Sequence, residues 1–151
     1  MIIHVIALKI DNYELREDLY YWPRRLTWGK VEPNNKVRVG ITDLAQGLAG
    51  KIRFIRIKPK GVAVEQGASV GTIETGKWVG PVETPVSGTI EEVNQALRAK
   101  PALLNEQPYD DGWIAVIKMT KPDETAGLKH GDDAAVWYKA EIETRTKDKK
   151  Q

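Results

Sequence analysis

The chain has 151 residues, with 23 Lys and Arg against 21 Asp and Glu, a formal net charge of +2 and 41% hydrophobic residues. That is one domain of ordinary size with enough apolar material for a core, and a charge this near neutral lacks the basic face of a dedicated nucleic-acid binder. The absence of cysteine excludes disulfides, thiolate catalysis and Cys-built metal or iron–sulfur centres, and no apolar run approaches the ~18 residues of a membrane span.

The opening Met1-Ile2-Ile3-His4-Val5-Ile6-Ala7-Leu8 is apolar. It has no basic start and no small-residue cleavage site, and Lys9 and Asp11 follow at once, so it does not read as a signal peptide. Residues 1–18 are expected to be an N-terminal extension or strand, in a cytoplasmic protein. Between Pro23 and Gly88, frequent Pro and Gly cut the chain into short pieces. The β-branched runs at 36–41, 51–57, 69–74, 79–86, 88–93 and 113–119 read as strands. Many short strands with frequent turns mean a sandwich or barrel. Three segments read as helices. Residues 42–50 carry a Thr42 cap, an early Asp43 and a terminal Gly50. Residues 94–100 start at Asn94 and stop before Pro101. The third begins at Asp132 or Asp133 and places Ala134, Trp137, Tyr138 and Ile142 on one packing face. The last residues, 147–151, form a basic tail.

The chemistry centres on Gly71 to Val82. Gly71 through Lys77 fits a GxxxxGK spacing, but a P-loop needs Ser or Thr next, where Trp78 stands. It also needs a following helix, which Gly80 and Pro81 forbid. The segment reads instead as a hairpin bending at Thr75-Gly76-Lys77-Trp78, with Gly76 permitting positive φ. A lysine held out from a rigid turn is a good acylation substrate; spacing alone leaves an ordinary solvated lysine as the simpler alternative. His4 and His130 are remote from each other and lack ligand spacing, so no metal site and no hydrolase constellation is expected. Asp110-Asp111-Gly112 reads as a turn.

Residues 36–119 resemble the H protein of the glycine cleavage system, a lipoyl carrier. The resemblance rests on Lys36-Val37-Arg38-Val39-Gly40-Ile41-Thr42-Asp43-Leu44-Ala45-Gln46, on Glu74-Thr75-Gly76-Lys77, on Pro85-Val86-Ser87-Gly88 with Glu92-Val93-Asn94, and on Asn105-Glu106-Gln107-Pro108-Tyr109 through Gly112-Trp113. Leu19-Tyr20-Tyr21 and Trp28 match more loosely. The resemblance implies a mainly β barrel-sandwich hybrid with short helices and a C-terminal helix, spanning residues 19–146. It implies lipoate joined by an amide to Lys77, a carrier rather than an enzyme, and loading by a lipoate-protein ligase or other lipoylating enzyme. Dihydrolipoamide dehydrogenase is a further implied partner; nucleic acid and membrane are not. Glu74 would serve recognition or solvation of the hairpin, Gly76 would shape the bend, and Trp78 would shield the arm or contact a partner. Biotin carriers share the fold, but Gly76 and Trp78 do not match their lysine segment.

The departures from the family concern charge. Two acids that suit an aminomethyl cation are replaced, by Thr27 and by Pro81, and Arg24 and Arg25 add positive charge nearby. A basic, carboxylate-free cleft suits negative cargo. The run Glu74-Thr75-Gly76-Lys77-Trp78-Val79-Gly80-Pro81 is similar to that of the H-protein-like lipoate-binding proteins of microbial sulfur oxidation, which implies a heterodisulfide-reductase-like complex as partner. Aminomethyl transport in glycine cleavage and an unlipoylated scaffold are the alternatives. Trp22, Trp28 and Trp113 could line a docking groove for the arm, or be packing.

Overall fold

A computed structural model describes residues 7–147; His4 and most of the basic tail lie outside the described residues. The chain opens with a two-stranded antiparallel hairpin, β1 (Ala7–Ile10) and β2 (Tyr13–Arg16). It continues through β3 (Tyr20–Trp22), β4 (Thr27–Glu32), β5 (Lys36–Ile41) and α1 (Asp43–Ala49). Next come β6 (Ile52–Ile57), β7 (Ala63–Val64), β8 (Ser69–Thr75), β9 (Val79–Glu83) and β10 (Gly88–Val93). Two single-turn helices, α2 (Ala96–Ala99) and α3 (Leu103–Glu106), precede β11 (Ala115–Met119). A 3₁₀ segment (Pro122–Gly127) leads to β12 (Lys129–His130) and the long α4 (Gly131–Lys147).

Seven strands form one sheet in the order β12-β3-β4-β5-β11-β10-β7, and β6-β8-β9 form a second. Alternation explains why they close on each other. Val37, Val39 and Ile41 of β5 point inward, as do Val70 and Ile73 of β8 and Val82 of β9, and all are buried in one core with Ile52, Ile90 and Ile117. A second core lies beneath α4. Ala134, Tyr138 and Ile142, four residues apart, meet Leu15, Leu19, Tyr21, Trp28 and Leu44 there. The mainly β sandwich with short helices and a C-terminal helix is as expected.

The elements differ from expectation in instructive places. The strand expected to run to residue 86 ends at Glu83, because Thr84 Oγ1 instead closes a local turn with Val86 and Pro85 offers no N–H. β3, β4, β7 and β12 are not foreseen by the sequence pattern. In β4, Gly29 breaks the apolar alternation, and a Cβ there would sit 2.9 Å from Val37 Cγ1. Trp137, by contrast, lies on the packing face of α4 as expected, half-buried against the second core with its ring 5.7 Å from that of Tyr21. The expected helix over 94–100 shortens to α2, with Asn94 Oδ1 accepting from the Ala96 N–H at 3.2 Å.

Candidate functional site

β8 and β9 pair up to Glu74–Val79, and the four residues Thr75 to Trp78 make the turn. The Thr75 N–H donates to the Trp78 carbonyl at 2.8 Å. Thr75 Oγ1 then accepts from the N–H groups of Lys77 (3.2 Å) and Trp78 (3.1 Å). A buried hydroxyl thus ties both residues of the tip to the end of β8. Lys77 itself is exposed. The sequence marks Thr75 only as part of the bend; its signal is a Thr two residues before the lysine.

The conformation expected of Gly76 is not found, whereas Trp78 stands beside the lysine as expected. Gly76 does not adopt positive φ; the glycines that do are Gly50, Gly61, Gly67 and Gly131. What Gly76 supplies is space: a Cβ there would lie 3.3 Å from the Arg53 guanidinium. Trp78 is 46% exposed, and its indole folds back over Gly80, where a Cβ would come within 2.1 Å of the ring. Glu74 is half-buried on the outer face, between Phe54 of β6 and Val79 of β9.

Beside the tip lies an open groove of about 750 Å³. Thr75, Gly76, Lys77 and Trp78 form one wall, Ala45, Leu48 and Ala49 of α1 another, and Leu26 and Pro81 border it. The charged side chains along it are Arg25, Lys51, Arg53, Lys77 and Arg145, and no lining residue is a carboxylate. The basic cleft expected from Arg24 and Arg25 is therefore present but differently built. Both arginines turn onto Glu83, with Nε to carboxylate distances of 2.8 Å and 3.3 Å. Trp22 Nε1 donates to the same carboxylate at 2.9 Å. Burial pushes the Glu83 carboxyl up, but the hydrogen bonds from Trp22 and Arg24 and the Arg24 charge override it and hold the group below its ordinary value. Thr27 is buried and donates its hydroxyl to the Glu83 carbonyl at 2.8 Å. Sequence reasoning misses Lys51, Arg53 and Arg145, which only the fold brings together.

The tryptophans considered for the groove lie elsewhere. Trp22 serves Glu83. Trp28 is buried, and its Nε1 donates to the carbonyls of Ile41 and Pro108. Trp113 lies under the Arg38 guanidinium at 4.3 Å. His130 bonds the Leu19 carbonyl through Nδ1 and stacks on Tyr20; among the described residues no cluster could hold a metal ion. No helix of the described residues is long and apolar enough to cross a membrane.

The wall formed by α1 is held by its own cap residue and by side chains from two distant segments, 105–109 and α4. Its first N–H groups, unsatisfied within any helix, find the hydroxyls of Tyr109 (Asp43 N–H, 3.1 Å), Tyr138 (Leu44 N–H, 2.9 Å) and Thr42 (Ala45 N–H, 3.1 Å). At the other end Gly50 takes φ +77°. Asn105 of α3 bridges there, donating to the Gly50 carbonyl at 2.8 Å and accepting from the Ile52 N–H at 3.0 Å.

The family described as "Glycine cleavage H-protein" matches residues 19–141. "Probable glycine cleavage system H protein 2" of Saccharolobus solfataricus is 46% identical over 126 residues, 82% of this chain and 85% of that protein. The protein of the same description from Sulfolobus acidocaldarius is 47% identical over 125 residues, 82% of this chain and 84% of that one. "Glycine cleavage system H protein 2" of Aquifex aeolicus is 41% identical over 142 residues, 91% of this chain and 88% of that one. The crystal structure of a glycine cleavage system H protein from Mycobacterium marinum superposes with a TM-score of 0.66 at 30% identity, covering 76% of this chain and 100% of that one. With the sandwich, the Lys77 hairpin and this extent of matching, the chain belongs to the glycine cleavage H-protein family.

Proposed function

We propose that this protein is a cytoplasmic lipoyl carrier, with lipoate joined through an amide to Lys77, and that its arm conveys a negatively charged sulfur intermediate to a heterodisulfide-reductase-like complex. The observation that carries the reading is the exposed Lys77 on a Thr75-tied turn, beside a groove lined by cations and free of carboxylates. The residues present fit the group. Leu26, Ala45 and Leu48 offer an apolar wall for a dithiolane ring, and the lysine side chain is free to extend. When bound, lipoate supplies a pair of sulfurs that interconvert between dithiol and disulfide and can hold cargo.

The chain's own residues present and shelter. Thr75 holds the backbone of Lys77 so that the amine leaves the turn in one direction. Trp78, laid over Gly80, covers the β9 side of the tip. Arg53 and Lys51 set a positive potential along the groove, which repels an aminomethyl cation and attracts an anion. Family membership is the observation that favours the second reading, an aminomethyl carrier of glycine cleavage.

The test is a Lys77→Arg variant produced in the protein's own host. Loading should disappear while the circular dichroism spectrum is retained, and growth that depends on the pathway should fail. Growth sustained by the variant would remove the carrier reading for every cargo. Mass analysis of the loaded wild-type peptide then separates additional sulfur from an aminomethyl adduct.

A further inference from the structure

One feature of the groove is built rather than incidental. β6 pairs with β8 as Ile52↔Thr75 and then Phe54↔Glu74. Two steps along β6 match one along β8, so Arg53 is the extra residue of a β-bulge. Bulges re-aim a side chain out of the alternation of the strand, and this one sends the Arg53 guanidinium over Gly76, where the missing Cβ leaves room for it at 3.3 Å. The other groove arginines are engaged: Arg25 with Glu83 at 3.3 Å, and Arg145 with Glu141 at 2.7 Å. Arg53 has no carboxylate within ion-pair distance among the described residues, and neither has Lys51 two residues before it.

An unpaired guanidinium fork seated on a bulge, at the foot of the lysine turn and facing a carboxylate-free groove, is arranged for a planar or tetrahedral anion. We infer that Arg53 is the specificity-determining residue of the groove, and that with Lys51 it holds the anionic end of cargo brought there, of the sulfur-oxyanion or thiolate class. The inference deepens the carrier reading and rests on it for the cargo's route, since it is the Lys77 arm that would bring the anion in. The subsite itself belongs to the unmodified chain and can be tested apart from loading.

The experiment is a titration of the full, unlipoylated protein with thiosulfate, followed by amide and Arg side-chain chemical shifts at constant ionic strength. Sodium chloride and methylammonium chloride serve as comparison titrants. Saturable shifts at Arg53, Thr75 and Gly76 with thiosulfate alone are expected. Arg53→Gln should weaken the interaction by about tenfold. Arg56→Gln, altering an exposed arginine on the outer face of the same strand, should change it less than about twofold. An Arg53→Gln variant that binds like the wild type overturns the inference. So do chloride or methylammonium shifts that match those of thiosulfate. A Lys77 found unloaded in the host would defeat the carrier reading while leaving this titration unchanged, so the two failures are distinguishable.

Discussion

Thr75 shows how one hydroxyl shapes the tip of this molecule. It is buried, it accepts from the N–H groups of Lys77 and Trp78, and its own N–H closes the turn. Thr75→Val keeps the shape and removes the acceptor. Its expected cost is about 1 kcal/mol, with faster amide exchange confined to Lys77 and Trp78; unchanged exchange there would deny Thr75 this role. Glu83 contributes to acid sensitivity. Its folded pKa lies below its ordinary value despite burial, so folding favours the ionised form. That stabilisation is complete above the ordinary carboxylate range and is lost as pH falls through the folded pKa. The urea midpoint of the wild type should therefore drop toward that of Glu83→Gln on acidification, and a difference independent of pH would contradict this. Lys77 was legible in the sequence because a lysine between strand runs can only sit at the bend. Glu83 and Arg53 were not, because one draws its partners from Trp22 and Arg24, about sixty residues away, and the other depends on a bulge that composition does not announce.

At the scale of elements, α1 was readable from Thr42, Asp43 and Gly50, and the Thr42 cap and the Gly50 terminus are as expected. What sequence could not show is that Tyr109 and Tyr138 complete the cap. Their hydroxyls lie 3.5 Å apart, and Tyr109 also donates to the Glu14 carbonyl at 2.6 Å. Burial pushes both phenols up, so they remain neutral and able to donate. Tyr138→Phe would leave the buried Leu44 N–H without its partner, at an expected loss of about 1–3 kcal/mol in chemical denaturation. A loss near zero would mean that α1 can shift to satisfy itself, and that the groove wall is softer than its hydrogen bonds indicate. The unexpected α3 has a comparable structural use, since its Asn105 ties the end of α1 to the start of the strand that carries Arg53.

Over the whole molecule, the central strands β5, β6, β8, β9, β10 and β11 and the packing face of α4 were legible from alternation and helical spacing, whereas β3, β4, β7 and β12 and the seating of the N-terminal hairpin were not. The β1–β2 hairpin precedes the matched family segment and is seated by contacts remote in sequence. Arg16 makes a two-pronged bond to Asp110 at 2.7 Å for each prong, and Glu14 N–H donates to Asp43 at 2.8 Å. Asp110, read as a mere turn residue, is thus an anchor for the hairpin. Tyr13 packs on Gly47 of α1, where a Cβ would lie 2.8 Å from its ring, so the extension braces the helix that walls the groove. The architecture gives Lys77 a hydrogen-bonded mount, an apolar wall and a positive approach, all of which would serve an arm. Whether this lysine bears one is decided by mass. Accurate intact mass with peptide mapping, on protein purified from its own host, tests it most directly. A lipoyl increment is expected on the peptide containing Lys77. An unmodified Lys77, in a host shown to lipoylate other proteins, would contradict it.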